Sequence, residues 1–140
     1  MLFIFTLDDN NGTKFVNKRQ SSDRIVANKI LELANGKPIY MKTKSISFFK
    51  DSSFPVKESN FSIVDNFYNL PNDAICFAEE VVPAEILSKS EIIVYRWNRS
   101  YPSLINDRLN LNNYTKEIVD EFSGYSHEKI TVEIYLRKGE

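Results

Sequence analysis

Residues 91–97, EIIVYRW, constrain the fold more than any other stretch because they are apolar on both faces of an extended chain. Strands without apolar and polar alternation are usually central parallel strands, buried on both sides beneath helices. The run AICFAEE at 74–80 is a second short apolar segment bounded by turn residues, and PAEILSKS at 83–90 predicts a short helix that starts at Pro83. Together the three segments predict a βαβ unit.

The N-terminal residues predict a β-hairpin. LFIFTL and TKFVN flank DDNNG, in which Asn11 and Gly12 supply the positive φ angles that a tight turn requires. The first seven residues lack the basic start of a signal peptide and are too short for one, which favours a strand.

The segment SSDRIVANKILELANG at 21–36 predicts an amphipathic helix. Its N-cap is predicted at Ser21 or Ser22, with Asp23 in the first turn and Gly36 beyond the end. The predicted buried face consists of Val26, Ile30, Leu33 and Ala34.

The remaining segments are short. PIYMKTKS at 38–45 predicts a strand, ISFFKD at 46–51 a short amphipathic piece, and SSFPVKESN at 52–60 a surface loop. FSIVDNFYNLP at 61–71 fits a strand or irregular structure, and NNYTKEIVDEF at 112–122 fits a helix or an edge strand. KITVEIYL at 129–136 alternates, which favours a strand over a helix that starts at Ser126.

The order of these segments predicts an α/β fold in a single domain over residues 1–140. We expect a small mixed sheet with an N-terminal hairpin, at least one βαβ unit, and helices that cover the sheet. A chain of 140 residues has the usual size of one domain with one hydrophobic core.

Composition excludes several classes of protein. A net charge of −1 argues against an overall basic, nucleic-acid-wrapping surface. One histidine and one cysteine cannot form a His-rich or Cys-rich zinc site, and the G-x-S-x-G, G-x-G-x-x-G and kinase motifs are absent. We therefore expect no metal site of these types and no cofactor. Cys76 fits a core position in a reducing cytoplasm, and no apolar run approaches a membrane span.

Three polar blocks are candidates for a binding site: a first block, NKRQSSDR at 17–24, a second block, YRWNRSYP at 95–102, and a third block, GYSHEKIT at 124–131. Ligands of open α/β sheets bind beyond the carboxyl ends of the parallel strands. Polar residues that follow the predicted strands are therefore expected on one rim: Lys42, Thr43, Lys44, Glu79, Glu80, Asn98 and Arg99.

Two interpretations of the cationic side chains are open. The Arg99 guanidinium can hold a phosphate, Trp97 or Tyr101 can stack on a base, and Asn98 lies beside them. A helix N-terminus near Lys18, Arg19 and Arg24 also favours an anion. Alternatively, Arg96 and Arg99 pair with Glu79 or Glu80, and Asp23 pairs with Arg24 or Lys18.

His127 is the single histidine of the chain and lies between Ser126 and Glu128. An imidazole titrates near neutral pH and can act as a general acid or base, with Ser126 as a neighbouring ligand contact. Adjacent side chains diverge on a strand or helix, so this run does not itself form a catalytic triad. A surface or capping role is the alternative.

The three blocks are similar to those of a group of short bacterial proteins of uncharacterised role, some of which carry an automatic ribonuclease Z label. That label implies tRNA 3′-end processing by a two-zinc metallo-β-lactamase fold. Such enzymes need an H-x-H-x-D-H ligand set, which His127 alone does not supply. The resemblance thus transfers no catalytic residue, but it marks the three blocks as parts of one site.

These observations lead to two functional hypotheses. In the first, a cytoplasmic protein binds an anionic small molecule, nucleotide or RNA, with metal-independent phosphodiester chemistry as an extension. His127 would then protonate the leaving oxygen, Glu80 or Glu79 would accept a proton, and Arg99 would stabilise the transition state. In the second, the chain is an interaction module of inhibitor or immunity type, with aromatic anchors for a protein partner.

Overall fold

A computed structural model describes residues 1–53 and 56–138. The strands are β1 (Leu2–Leu7), β2 (Lys14–Phe15), β3 (Lys18–Arg19), β4 (Ile39–Met41), β5 (Phe61–Ile63), β6 (Ile75–Phe77), β7 (Glu91–Arg96), β8 (Tyr114–Phe122) and β9 (Ile130–Arg137). The α-helices are α1 (Arg24–Ala34) and α2 (Ala84–Leu87), and short 3-10 segments cover Thr43–Phe49, Glu58–Asn60 and Ile105–Asp107.

Seven strands form one mixed sheet in the order β5-β4-β6-β1-β7-β9-β8. The first five of these run parallel, whereas β9 is antiparallel to both β7 and β8. The α/β fold with a mixed sheet is confirmed. The predicted βαβ unit is β6-α2-β7, and β1 lies between its two strands. All five parallel strands therefore present their carboxyl ends at one edge of the sheet.

The N-terminal hairpin is present, but its strands differ from the predicted pair. It consists of β2 and β3, and β1 pairs instead with β6 on one side and β7 on the other. Asn11 does adopt a positive φ of 61°, yet the chain leaves the sheet after this turn. A central position between β6 and β7 lets helices and loops cover both faces of β1 and bury its apolar residues, which a two-stranded hairpin cannot do.

Helices cover both faces of the sheet, as expected. Helix α1 packs Val26 and Ile30 against Ile4 and Phe77 on one face. On the other face, α2 and the irregular segments around Phe67 and Leu109 cover a second cluster. Members of that second cluster on the central strands are Phe3, Phe5, Leu7, Cys76, Ile92 and Val94.

The predicted helix is confirmed with two corrections at the residue level. Its N-cap is Asp23, not Ser21 or Ser22, because the Asp23 carboxylate accepts hydrogen bonds from the first-turn amides of Ile25 and Val26. Leu33 is 42% exposed, so it does not belong to the buried face.

The open alternatives near the C-terminus are resolved in favour of strands. Residues 112–122 contain the edge strand β8, and no helix starts at Ser126 because residues 126–129 lead directly into β9. The predicted loop over 52–60 includes residues 54 and 55, which lie outside the described residues. Within residues 1–53 and 56–138, no helix combines the length and apolarity needed to cross a membrane.

Candidate functional site

The three polar blocks meet at the carboxyl edge of the parallel strands. Asp23 of the first block accepts hydrogen bonds from the backbone amides of Tyr125 and Ser126, both at 2.9 Å. Asn98 of the second block donates to the Lys129 carbonyl at 3.1 Å, and Arg99 donates to the Ser126 carbonyl at 3.2 Å. The third block therefore bridges the other two.

His127 lies at the centre of this junction and is 4% exposed. Its Nδ1 is 2.8 Å from Asp23 Oδ2, and its Nε2 is 3.0 Å from Ser21 Oγ. The imidazole also stacks on Trp97 with ring centroids 4.6 Å apart and an interplanar angle of 25°. His127 thus contacts a serine and an aspartate that precede it by more than 100 residues.

Asp23 remains ionised throughout the physiological range. Burial raises the pKa of its carboxyl group, but this effect is outweighed by hydrogen bonds from Tyr125, Ser126, His127 and Ile25, which lower the pKa to about 2. An ionised carboxylate has no hydrogen to donate, so His127 Nδ1 carries the proton in their contact. In the neutral imidazole, Nε2 then faces Ser21 Oγ as an acceptor.

Trp97 does not offer a stacking surface to a ligand, contrary to the prediction. It is 1% exposed, and its ring packs between His127 and Phe48, whose centroid is 6.4 Å away. Its Nε1 is a buried donor with no acceptor within the described residues, and Gln20 Oε1 is a buried acceptor without a donor there. The Gln20 amide lies instead near Gly12 and Lys14, so only the Trp97 donor belongs to the junction.

A separate cavity of about 170 Å³ lies between the β2–β3 hairpin and the carboxyl ends of β4 and β6. Four cationic and two anionic side chains line it, so its local charge is positive in a chain of net charge −1. Asn17, Lys18 and Arg19 come from the first block, and Lys44, Glu79 and Glu80 were expected on the rim, whereas Lys14 was not predicted. The full lining is Lys14, Asn17, Lys18, Arg19, Lys44, Ser45, Glu79 and Glu80.

The two glutamates pair with cations other than the predicted ones. Arg19 forms a two-point contact with Glu79, at 2.5 and 2.8 Å, and Lys42 Nζ lies 2.7 Å from Glu80. The prediction that Arg96 or Arg99 pairs with these glutamates is wrong. Arg96 belongs to β7 and points to the sheet face that carries Glu133, whereas Arg99 follows the strand.

The remaining predicted residues lie around the junction at different places. Arg24 is exposed and places its guanidinium 4.4 Å from the ring centroid of Tyr125, so it does not pair with Asp23. The Tyr101 backbone amide donates to Asp8, and the Tyr101 ring contacts Phe15 at 6.1 Å. Neither residue lines the cationic cavity.

Ser21 and Asp23 are the site residues that sequence reasoning missed as partners of His127. Both were assigned to the helix start, and nothing in their spacing relates them to a histidine more than 100 positions away. Topology supplies the relation, because the start of α1 and the segment before β9 lie at the same edge of the sheet.

Within the described residues, no group of three or more histidine, cysteine, aspartate or glutamate side chains is arranged to hold a metal ion. The thiol of Cys76 is buried, and burial raises its pKa to about 12, so it is unreactive. Searches with protein-family models and against curated protein sequences find no match to this chain.

Proposed function

We propose that the protein binds a phosphate-containing ligand, of the nucleotide or RNA type, in the cationic cavity beside the β2–β3 hairpin. The observation that supports this function is the cluster of three lysines, Lys14, Lys18 and Lys44, around one cavity. No carboxylate lies within ion-pair distance of these ammonium groups in residues 1–53 and 56–138. A dianionic phosphate would relieve their mutual repulsion.

Arg19 builds the cavity wall. Its guanidinium is occupied by Glu79, by Ser47 Oγ at 2.9 Å and by the Lys44 carbonyl at 2.8 Å. These contacts fix the hairpin against the 3-10 segment Thr43–Phe49, which holds the lysines in place. The ligand would therefore be met by the three ammonium groups as point charges, with the Asn17 amide as a hydrogen-bonding partner.

The proposal concerns binding and does not include phosphodiester cleavage. His127, the predicted acid, is buried against Ser21 and Asp23 and does not line the cavity. Glu80, the predicted base, is paired with Lys42. A general acid or base has to reach the reacting atoms directly or through one water molecule, and this pair does not do so together.

Thermal-shift and calorimetric titrations with inorganic pyrophosphate, ATP and a short single-stranded RNA test the proposal. A ligand at about 100 times its Kd stabilises the native state by about 2.7 kcal/mol, which raises the Tm by several degrees. The double variant Lys18→Ala/Lys44→Ala should weaken binding at least about tenfold. Each contact between a lysine ammonium and a phosphate contributes on the order of 1 kcal/mol or more to the binding free energy.

The matched control is Lys37→Ala/Lys50→Ala, which removes the same charge from exposed lysines outside the cavity. It should bind like the wild type, and its salt dependence should be unchanged. Equal affinity of the two double variants, or no stabilisation by any of the three probes, would refute the proposal.

The alternative, an interaction module, stays a prediction. One of its expected anchors is lost, since Trp97 is buried. Exposed apolar side chains do remain, including Tyr125 at 66% and Ile105 at 79% exposure. Nothing in the described surface selects a particular partner for them.

A further inference from the structure

We propose that Ser21 is a nucleophile activated by His127 and Asp23, and that the protein cleaves uncharged carboxylic esters through an acyl-enzyme. The three side chains have the order and separations of a serine–histidine–aspartate triad: Oγ to Nε2 at 3.0 Å and Nδ1 to Oδ2 at 2.8 Å. This inference is independent of the lysine cavity, because an uncharged ester does not require it.

The geometry assigns each group a distinct role. The Asp23 carboxylate accepts from Nδ1 and thereby fixes the tautomer that leaves Nε2 free to accept a proton. The Trp97 ring, stacked at 4.6 Å, fixes the plane of the imidazole. Ser21 is partly exposed whereas His127 is 4% exposed, so Ser21 is the member that a substrate can reach.

A purely structural role accounts for Asp23 but leaves Ser21 unexplained. Asp23 caps α1 through Oδ1, with Ile25 and Val26 as donors, and anchors the third block through Tyr125 and Ser126. Within the described residues, the Ser21 hydroxyl contacts His127 and contributes to neither task. The Ser21 hydroxyl is thus hydrogen-bonded to Nε2, whereas the contact of the imidazole with Asp23 is made through Nδ1.

Two donors belong to residues that adjoin the triad, since Arg24 follows Asp23 in the chain and Trp97 stacks on His127. The backbone N–H of Arg24, at the first position of α1, has no acceptor in the described residues, since Asp23 caps the two amides that follow. Trp97 Nε1, on the ring stacked against His127, is buried and likewise has no acceptor in residues 1–53 and 56–138. Donors of this kind stabilise the oxyanion of a tetrahedral intermediate.

The reaction balances in two steps. Ser21 Oγ bonds to the ester carbonyl carbon while its proton passes to His127 Nε2, and the departing alkoxide takes that proton as its C–O bond breaks. Water then adds to the acyl carbon and gives a proton to Nε2. Cleavage of the bond to Oγ returns this proton to Ser21 and releases the carboxylic acid.

The test is intact-protein mass spectrometry after incubation with an uncharged alkyl fluorophosphonate, followed by peptide mapping. Ser21 Oγ displaces fluoride from phosphorus, so one adduct at Ser21 is expected. Ser21→Ala should lose the adduct completely, and His127→Gln should slow labelling at least about 100-fold, the usual contribution of a general base. Hydrolysis of p-nitrophenyl acetate should fall in parallel.

Ser22→Ala is the matched control, since Ser22 is the exposed neighbour and the hydrogen bonds of the His127 ring go to Ser21, Asp23 and Ser126. It should label at the wild-type rate. Ser21→Ala leaves every Asp23 contact in place, so its thermal unfolding should match the wild type and its result does not depend on a folding defect. Absence of a Ser21 adduct after prolonged incubation with excess probe, or equal labelling of Ser21→Ala, would overturn the proposal.

Discussion

Arg96 illustrates how burial decides the role of a single charged residue. Its Nε lies 2.6 Å from Glu133 Oε1, and its two terminal nitrogens donate to Tyr135 Oη at 2.7 Å and to the Asp8 carbonyl at 2.8 Å. The side chains of Arg96 and Glu133 are 11% and 6% exposed. This arginine is fully engaged inside the protein, whereas Arg99, three positions later, is exposed at the rim.

We predict that Glu133→Ala lowers the free energy of unfolding by about 3–5 kcal/mol, because it leaves the Arg96 charge buried without its partner. Urea unfolding monitored by tryptophan fluorescence measures this change. Glu121→Ala is the control on the same β8–β9 hairpin, since Glu121 and Lys129 are 51% and 59% exposed and such pairs contribute at most about 1 kcal/mol. Similar losses in both variants would contradict the prediction.

At the scale of elements, Asp23 joins the start of α1 to the segment that precedes β9. One carboxylate serves as helix cap, as acceptor for two amides of the third block and as partner of His127. Because Asp23 is hydrogen-bonded to both segments, the start of α1 and the loop that carries His127 are fixed relative to each other. Ser21 and His127 therefore stay in contact. These hydrogen bonds favour the ionised form of Asp23 and lower the pKa of its carboxyl group to about 2.

Because the pKa of Asp23 is lower in the folded protein than its ordinary value of 3.8, ionised Asp23 stabilises the fold at pH values above about 4. This stabilisation is lost as the pH falls from about 4 to about 2. We predict that the unfolding free energy of the wild type decreases between pH 5 and pH 2 by on the order of 2 kcal/mol more than that of Asp23→Asn, which cannot titrate.

Urea unfolding at a series of pH values measures this difference. Asp51→Asn removes an exposed carboxylate that lines the same cavity as Asp23 and Arg24, and it should retain the wild-type pH profile. Parallel profiles for the wild type and Asp23→Asn would show that Asp23 does not supply the acid sensitivity.

At the scale of the whole molecule, stability should be graded from the centre of the sheet to its edges. Strand β1 is hydrogen-bonded to β6 and β7 and is covered on both faces, with Phe3, Ile4 and Phe5 fully buried. Strand β8 is the last strand of the sheet order, and its Ile118 is 58% exposed. The short β2–β3 hairpin stands apart from the main sheet.

We therefore predict that amides of β1, β6 and β7 exchange with solvent most slowly, by global unfolding, whereas those of β8 that face solvent and those of the β2–β3 hairpin exchange through local opening. Native-state hydrogen exchange read by mass spectrometry resolves these segments. Protection of the β2–β3 hairpin equal to that of β1 would contradict this gradient.

Local patterns were sufficient where apolar residues recur at a regular spacing along a segment. The 3.6-residue period of 21–36 predicted α1, and the alternation of Ile130, Val132 and Ile134 predicted β9. Residues 112–122 remained ambiguous because β8 is an edge strand whose apolar side chains, such as Ile118 and Val119, are exposed. Without a buried face, a sequence shows no clear period.

The sequence by itself determined the α/β class, the main helix, the βαβ unit and the core position of Cys76, because these depend on apolar periodicity within a few residues. Only the tertiary structure decided that β1 pairs with β6 and β7, that Glu79 pairs with Arg19, and that His127 contacts Ser21 and Asp23. Such contacts join residues 60 to 106 positions apart. These contacts depend on the order of the strands in the sheet and on which loops lie at the same edge of it. No pattern within a few residues of sequence encodes either property.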